Sequence, residues 1–77
     1  DEELLMPVPH DEQRRALAAL VAREGAAMIR DLAFGDIVSI RVWINRAATP
    51  DERRLRKQLI VGAQYGVDWS TFDWSRR

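Results

Sequence analysis

Few side chains of this 77-residue chain are suited to proton transfer, nucleophilic attack or metal binding. His10 is the only histidine and there is no cysteine, so the sequence lacks the usual spacing of a metal site. Ser39, Ser70 and Ser75 have no nearby residue that would serve as the general base of a nucleophilic serine. No acidic residue lies in an obviously apolar segment, where burial would raise a carboxyl pKa. We therefore expect a protein that is not an enzyme and needs neither metal nor cofactor.

The charged side chains balance over the whole chain but not along it. Twelve Lys and Arg residues offset twelve Asp and Glu residues, and five of the acids lie within residues 1–12. The remaining residues thus carry seven acids against twelve bases. The simplest explanation of this surplus is a solvated helix face. The alternative is that these basic residues bind an acidic partner or the phosphates of a nucleic acid. The predicted basic patch consists of Arg41, Arg46, Arg53, Arg54 and Lys57.

Length and composition indicate one small domain. Residues 1–9 form an acidic and hydrophobic segment with two prolines, which predicts an extended arm. No run approaches the roughly 20 apolar residues of a membrane-spanning helix. The opening residues are acidic, unlike a signal peptide, and the lack of cysteine is compatible with a reducing compartment. We expect a soluble cytoplasmic domain over residues 10–66.

Helical periodicity dominates the first half of the domain. The spacings of three, four and seven between apolar residues predict helices over 10–24 and 26–34, with Gly25 as the break between them. The apolar residues with these spacings are Leu17, Leu20, Val21, Met28, Ile29 and Leu32.

The clearest local signal lies near residue 50. Thr49, Pro50 and Glu52 supply an N-cap, a proline at the first helical position and an acid at the third, which is a capping box. We predict a helix over 50–65 that ends at Gly66. Its inward seam is Leu55, Leu59, Ile60 and Ala63, and Glu52 and Arg56 are spaced as an i, i+4 ion pair.

The central segment 36–46 is the most apolar part of the chain and admits two interpretations. As a strand it alternates, with Val38, Ile40, Val42 and Ile44 on one face. As a helix it begins with Asp36 as N-cap directly after Gly35. Because no second strand pattern is present to pair with it, we predict a helix over 36–47.

In the helical interpretation, Ile37, Ile40 and Ile44 face inward. Trp43 then lies on the flank of that stripe, where a large ring with one polar N–H suits a contact with another protein. Val38 and Val42 also lie on a flank of the stripe, and we predict that these three residues bind a partner.

Residues 67–77 repeat the triplet Asp-Trp-Ser at 68–70 and 73–75. Trp69, Phe72 and Trp74 carry too much apolar area for a short segment in water. We expect at least one Trp to cap the core, and we include all three among the candidate partner contacts.

Landmarks along the chain resemble the helix-turn-helix of small phage repressors. They are Arg23-Glu24-Gly25, Phe34-Gly35, Val42-Trp43-Ile44-Asn45-Arg46, Pro50, Tyr65-Gly66-Val67 and Trp74-Ser75-Arg76. The resemblance implies a recognition helix at 36–46. The chain departs from that pattern at Arg30 and Asp31, where small apolar residues are expected, and at Ile37, Val38 and Val42, which would face the DNA groove.

The segment 30–37, Arg-Asp-Leu-Ala-Phe-Gly-Asp-Ile, resembles the region around the cofactor-bearing serine of polyketide acyl carrier domains. Asp36 stands at the serine position, so the resemblance implies a degenerate domain without phosphopantetheine.

Together these patterns predict an all-α bundle of three to four short helices with an aromatic C-terminal tail. The preferred function is non-enzymatic binding of another protein, or of a second copy in a homodimer. The alternatives are a DNA-binding regulator of the phage-repressor type and a degenerate acyl-carrier-like domain.

Overall fold

The computed structural model describes residues 11–75, and these residues form four helices without any strand. The all-α prediction is confirmed, including a helix rather than a strand in the central segment. The predicted arm over 1–9 lies outside the described residues, as do His10 and residues 76–77. The helices are α1 (Asp11–Glu24), α2 (Ala26–Ala33), α3 (Ile37–Asn45) and α4 (Pro50–Gln64).

Gly25 forms the boundary between α1 and α2. Its φ is 95°, a left-handed backbone conformation that residues other than glycine rarely adopt. Its amide donates to the Val21 carbonyl at 2.7 Å and closes α1, while its own carbonyl accepts from Ile29 at 3.0 Å and opens α2. The predicted break at this glycine is therefore confirmed.

Side-chain caps begin α3 and α4. The Asp36 carboxylate accepts from the backbone amide of Ser39 at 2.8 Å and from its hydroxyl at 3.0 Å. These bonds, the backbone one first, hold the pKa of Asp36 below its ordinary value. The Thr49 hydroxyl accepts from the Glu52 amide at 3.1 Å, with Pro50 in the first turn. Both predicted N-caps are confirmed, and each satisfies an amide that lacks an intrahelical partner.

Gly66 ends α4 in a Schellman motif. Its φ is 99°, and its amide donates to the Ala63 carbonyl at 3.1 Å. The Val67 amide donates to the Gly62 carbonyl at 2.9 Å, which completes the motif, and the Val67 side chain packs against the core. The chain is thereby turned back toward the bundle.

The core lies between the helices, and α2 packs most extensively on α4. The Gln64 side-chain amide donates to the Ala33 carbonyl at 3.0 Å, so the ends of α2 and α4 lie together. Since α3 begins soon after Ala33 and its far end contacts the middle of α4, α3 runs back along α4. The buried apolar residues are Leu17, Leu20, Val21, Ile29, Ala33, Ile40, Trp43, Leu59, Ile60, Ala63 and Trp69.

The aromatic residues of the tail pack together on this core. Trp69 is 4% exposed and its indole N–H donates to the Leu59 carbonyl at 2.9 Å. Its ring stacks on Trp74 with centroids 5.5 Å apart, and Phe72 packs against both rings. The expectation that one Trp caps the core is confirmed for Trp69.

The two Asp-Trp-Ser triplets form two matching turns. Asp68 accepts from the Ser70 amide at 3.0 Å and from its hydroxyl at 2.6 Å, and Asp73 accepts from Ser75 at the same two distances. Side-chain bonds of this kind define an Asx turn. The Ser70 hydroxyl and then its amide lower the pKa of Asp68. The repeat thus sets the local path that brings the two Trp rings together.

Candidate binding surface

The outer face of α3 carries three apolar side chains that are open to solvent. Ile37 is 61% exposed, Val38 64% and Val42 48%. The helix is held to the bundle by Ile40 and Trp43, which are three residues apart and buried. Val38 and Val42 are four residues apart and share one side of the helix, and neither lies three or four positions from Ile40 or Trp43. Because the side of α3 that carries Ile40 and Trp43 is buried, the two valines face solvent.

An open groove of about 300 Å³ lies beside this face, between α2 and α3. Met28 on its α2 side is itself 36% exposed, so the apolar surface continues from one helix to the other. Phe34, which joins the two helices, is 67% exposed. We call this combined region the α2–α3 surface; its groove is lined by Met28, Leu32, Val38, Ser39, Val42, Trp43 and Arg46.

The placement predicted for Trp43 is wrong. Trp43 is 7% exposed and belongs to the core, although one edge reaches the groove. Ile37, predicted to face inward, is exposed, while Ile44 is partly buried as expected. The cause is that the inward stripe runs through Ile40, Trp43 and Ile44 and leaves the first turn of α3 beyond the core. Of the three predicted contacts in this helix, Val38 and Val42 lie on the open surface.

Trp43 is held by a polar network that joins three helices. Its indole N–H donates to Glu24 Oε1 at 3.0 Å, and the Arg56 guanidinium lies 4.8 Å from its ring centroid. Arg56 also donates to the Trp43 carbonyl at 2.7 Å and to Glu52 at 2.7 Å. Arg23 reaches the same Glu52 oxygen at 3.3 Å. The network fixes the end of α3 against α1 and α4.

The electrostatics of this network favour an ionised Glu24. The hydrogen bond from the Trp43 indole is the main cause that holds the pKa of Glu24 below its ordinary value. Partial burial raises this pKa, and Arg23 and Arg56 lower it further. The predicted pair between Glu52 and Arg56 is confirmed at 2.7 Å. Arg56 is nonetheless 6% exposed, so it serves packing and is not part of a solvated basic face.

The five residues of the predicted basic patch are all exposed but do not share one element. Arg41 lies on α3 and Arg46 is its C-cap residue, and each follows an exposed valine by three or four positions. Arg53 and Lys57 are four residues apart on α4, and Arg54 lies 3.5 Å from Asp51 on the same helix. Only the α3 pair therefore belongs to the α2–α3 surface by its position.

The three tail residues predicted as partner contacts differ in how deeply they are buried. Trp69 is enclosed, and its N–H is satisfied within the chain. Phe72 and Trp74 are partly buried against it, so each leaves part of its ring in contact with solvent. The aromatic residues of the tail thus pack mainly on the core. The exposed fractions of Phe72 and Trp74 are smaller than those of Ile37, Val38 and Val42.

Sequence reasoning missed Met28 and Phe34 as parts of the exposed surface. Met28 fits the helical periodicity of core residues, and nothing local distinguishes it from buried Ile29 beside it. It also missed Glu24, which is nineteen positions from Trp43. The signal available in the sequence was the excess of apolar residues in 34–46 over what one helix face can bury.

Within residues 11–75, every buried side-chain polar atom has a hydrogen-bond partner. The same residues contain no group of three side chains suited to hold a metal ion. None of the helices described is both long and apolar enough to cross a membrane. Comparisons with protein-family models, curated proteins and solved structures find no match for this chain.

Proposed function

We propose that this chain is a small helical module that binds another protein through the α2–α3 surface. The observation that carries the proposal is the exposure of Ile37, Val38 and Val42 on one short helix, while most other large apolar side chains pack in the core. Exposed apolar area of this kind is costly in water and commonly marks an interaction site. Met28, which lines the groove together with Val38 and Val42, extends the area beyond a single helix.

The shape of the surface supports the same proposal. The groove between α2 and α3 accepts side chains from a partner, and the rigid network around Trp43 fixes one of its walls. A preorganised apolar groove loses little entropy when it binds. The lack of cysteine suits such a module to a reducing cytoplasm, where we propose it acts.

DNA binding is the second candidate, because α2 and α3 are joined by the three residues 34–36, a spacing typical of helix-turn-helix units. Arg41, Arg46, Arg53 and Lys57 would then contact phosphates. The chemistry of the outer face is less suitable, since Val38 and Val42 offer no hydrogen bonds to base edges. Protein binding therefore remains the preferred function.

The test compares two valine substitutions in the full chain. Val38→Glu places a charge on the α2–α3 surface, and Val61→Glu places the same charge on α4, where Val61 is 39% exposed. The chains are immobilised and the proteins retained from the source cell are quantified. We expect Val38→Glu to reduce retention of specific partners at least about tenfold, as at an interface hot spot, and Val61→Glu to retain them.

Salt dependence separates the two candidates. A largely apolar protein contact should weaken only modestly as salt rises, whereas a DNA complex should weaken steeply because counterions are released. Equal retention by Val38→Glu and the unmodified chain would contradict the proposed surface. Steeply salt-dependent binding to duplex DNA, lost on Arg46→Ala, would favour the second candidate.

A further inference from the structure

The kind of partner follows from the charges around the α2–α3 surface, and the inference rests on the proposed function. We propose that this surface takes an acidic amphipathic helix. The apolar side chains of that helix fill the groove between α2 and α3, and its carboxylates pair with Arg41 and Arg46.

The two arginines lie beside the exposed valines. Arg41 follows Val38 by three positions and Arg46 follows Val42 by four, which makes each pair neighbours on the helix surface. Arg46 also lines the groove itself. A partner whose apolar side chains reach the valines therefore places its flanking residues within reach of the guanidinium groups.

Neither Arg41 nor Arg46 forms an ion pair with another residue in the described part of the chain. Arg53 and Lys57 on α4 likewise form none with a described residue, whereas other arginines have their charges compensated within the fold. Those compensated arginines are Arg23, Arg30, Arg54 and Arg56. An acidic partner would supply the carboxylates that the fold does not provide at Arg41 and Arg46, and charge complementarity of this kind favours the correct partner.

The same charges disfavour a second copy of the chain as occupant. A symmetric dimer through α3 would bring the arginines of one copy toward those of the other. Asp36, the acid nearest the start of α3, is already engaged with Ser39 as its N-cap. Like charges in such an interface are repulsive and suppress association.

A helix fits this site better than an extended segment. An extended peptide gains affinity by adding a strand to a sheet edge, and residues 11–75 offer no strand for such pairing. A groove between two helices accepts apolar side chains repeated at helical spacing. The walls include Met28, whose flexible thioether adapts to different side chains.

The test uses synthetic peptides of about 15 residues, long enough to form a helix on binding. The first carries Leu at helical spacing with Glu on both flanks, the second replaces every Glu with Lys, and the third replaces every Leu with Ser. Each is fluorescently labelled and titrated with the full chain while anisotropy is measured. The variants are Arg41→Glu, Arg46→Glu and Val38→Glu, with Arg54→Glu as the matched charge reversal on α4.

We expect the Leu/Glu peptide to bind more tightly than either of the others. Arg41→Glu and Arg46→Glu should each weaken it about fivefold, as expected for partly exposed ion pairs, and should shift the preference toward the Lys peptide. Arg54→Glu should leave both affinities unchanged. Circular dichroism of each variant confirms that the helices are retained.

The outcomes separate this inference from the proposed function. If the Lys peptide binds the unmodified chain as tightly as the Glu peptide and Val38→Glu weakens both, the acidic partner is wrong and the binding surface stands. If no Leu peptide binds, the proposed function fails as well. A dimer in sedimentation that Val38→Glu dissociates would identify a second copy as the occupant and overturn the inference.

Discussion

At the scale of single residues, Trp43 decides how α3 is oriented. Its indole N–H, its carbonyl and its ring face are each engaged, by Glu24 and by Arg56. These partners are distant in sequence and come together only when α1 and α4 are packed. The spacing of Ile37, Ile40 and Ile44 therefore predicts a helix and the inward side of Ile40 and Ile44 correctly, but it wrongly places Ile37 inward and Trp43 on the flank.

We predict that Trp43→Ala destabilises the domain by about 3–5 kcal/mol, because it opens a large cavity in the core. Trp43→Phe keeps most of the bulk and loses the indole N–H, so it should cost less. Ile40→Ala should cost about 2–5 kcal/mol. Equilibrium unfolding in denaturant measures all three. A Trp43→Ala variant as stable as the unmodified chain would contradict the burial of this residue.

Glu24 makes the stability depend on acid. Because its pKa is lowered in the folded chain, mainly by the Trp43 indole, its contribution is complete above the ordinary carboxyl pKa of about 4 and is lost as pH falls through the lowered value. We expect Glu24→Gln to be less stable at neutral pH and to lose less stability on acidification. Denaturant melts at neutral and acidic pH test this; parallel losses in both chains would contradict it.

At the scale of elements, local chemistry specifies the helix boundaries. Asp36, Thr49 and Gly66 act within a few residues of themselves, so the starts of α3 and α4 and the end of α4 are predictable from sequence. Which face of α3 is buried depends on packing against α2 and α4, and no local rule supplies it. Two adjacent basic residues of α4 illustrate the same limit, because Arg56 turns inward while Lys57 is exposed.

We predict that Thr49→Ala costs about 1 kcal/mol, because the Glu52 amide loses its capping oxygen. Thr49→Ser retains a hydroxyl at the same position and should lose much less. Thermal or denaturant unfolding distinguishes them. Equal stability of the Ala variant and the unmodified chain would show that the cap contributes nothing.

At the scale of the whole molecule, apolar area is distributed unevenly. The tail covers the core with Trp69, while Val38 and Val42 are left outside on α3. The sequence was sufficient to predict that apolar residues exceed what the core can hide, and to place these two valines away from the centre of the inward stripe. It was insufficient to identify the groove, because the groove exists only where α2 and α3 meet.

The central claim is that the outer face of α3 is the binding surface. Hydrogen exchange measured by mass spectrometry, on the full chain alone and with its captured partner, tests it most directly. We predict that the partner slows exchange mainly in residues 26–46, because docking on the α2–α3 surface suppresses local opening of these helices. Slower exchange confined to residues 50–57 or 67–75, with no change in α2 and α3, would contradict the claim.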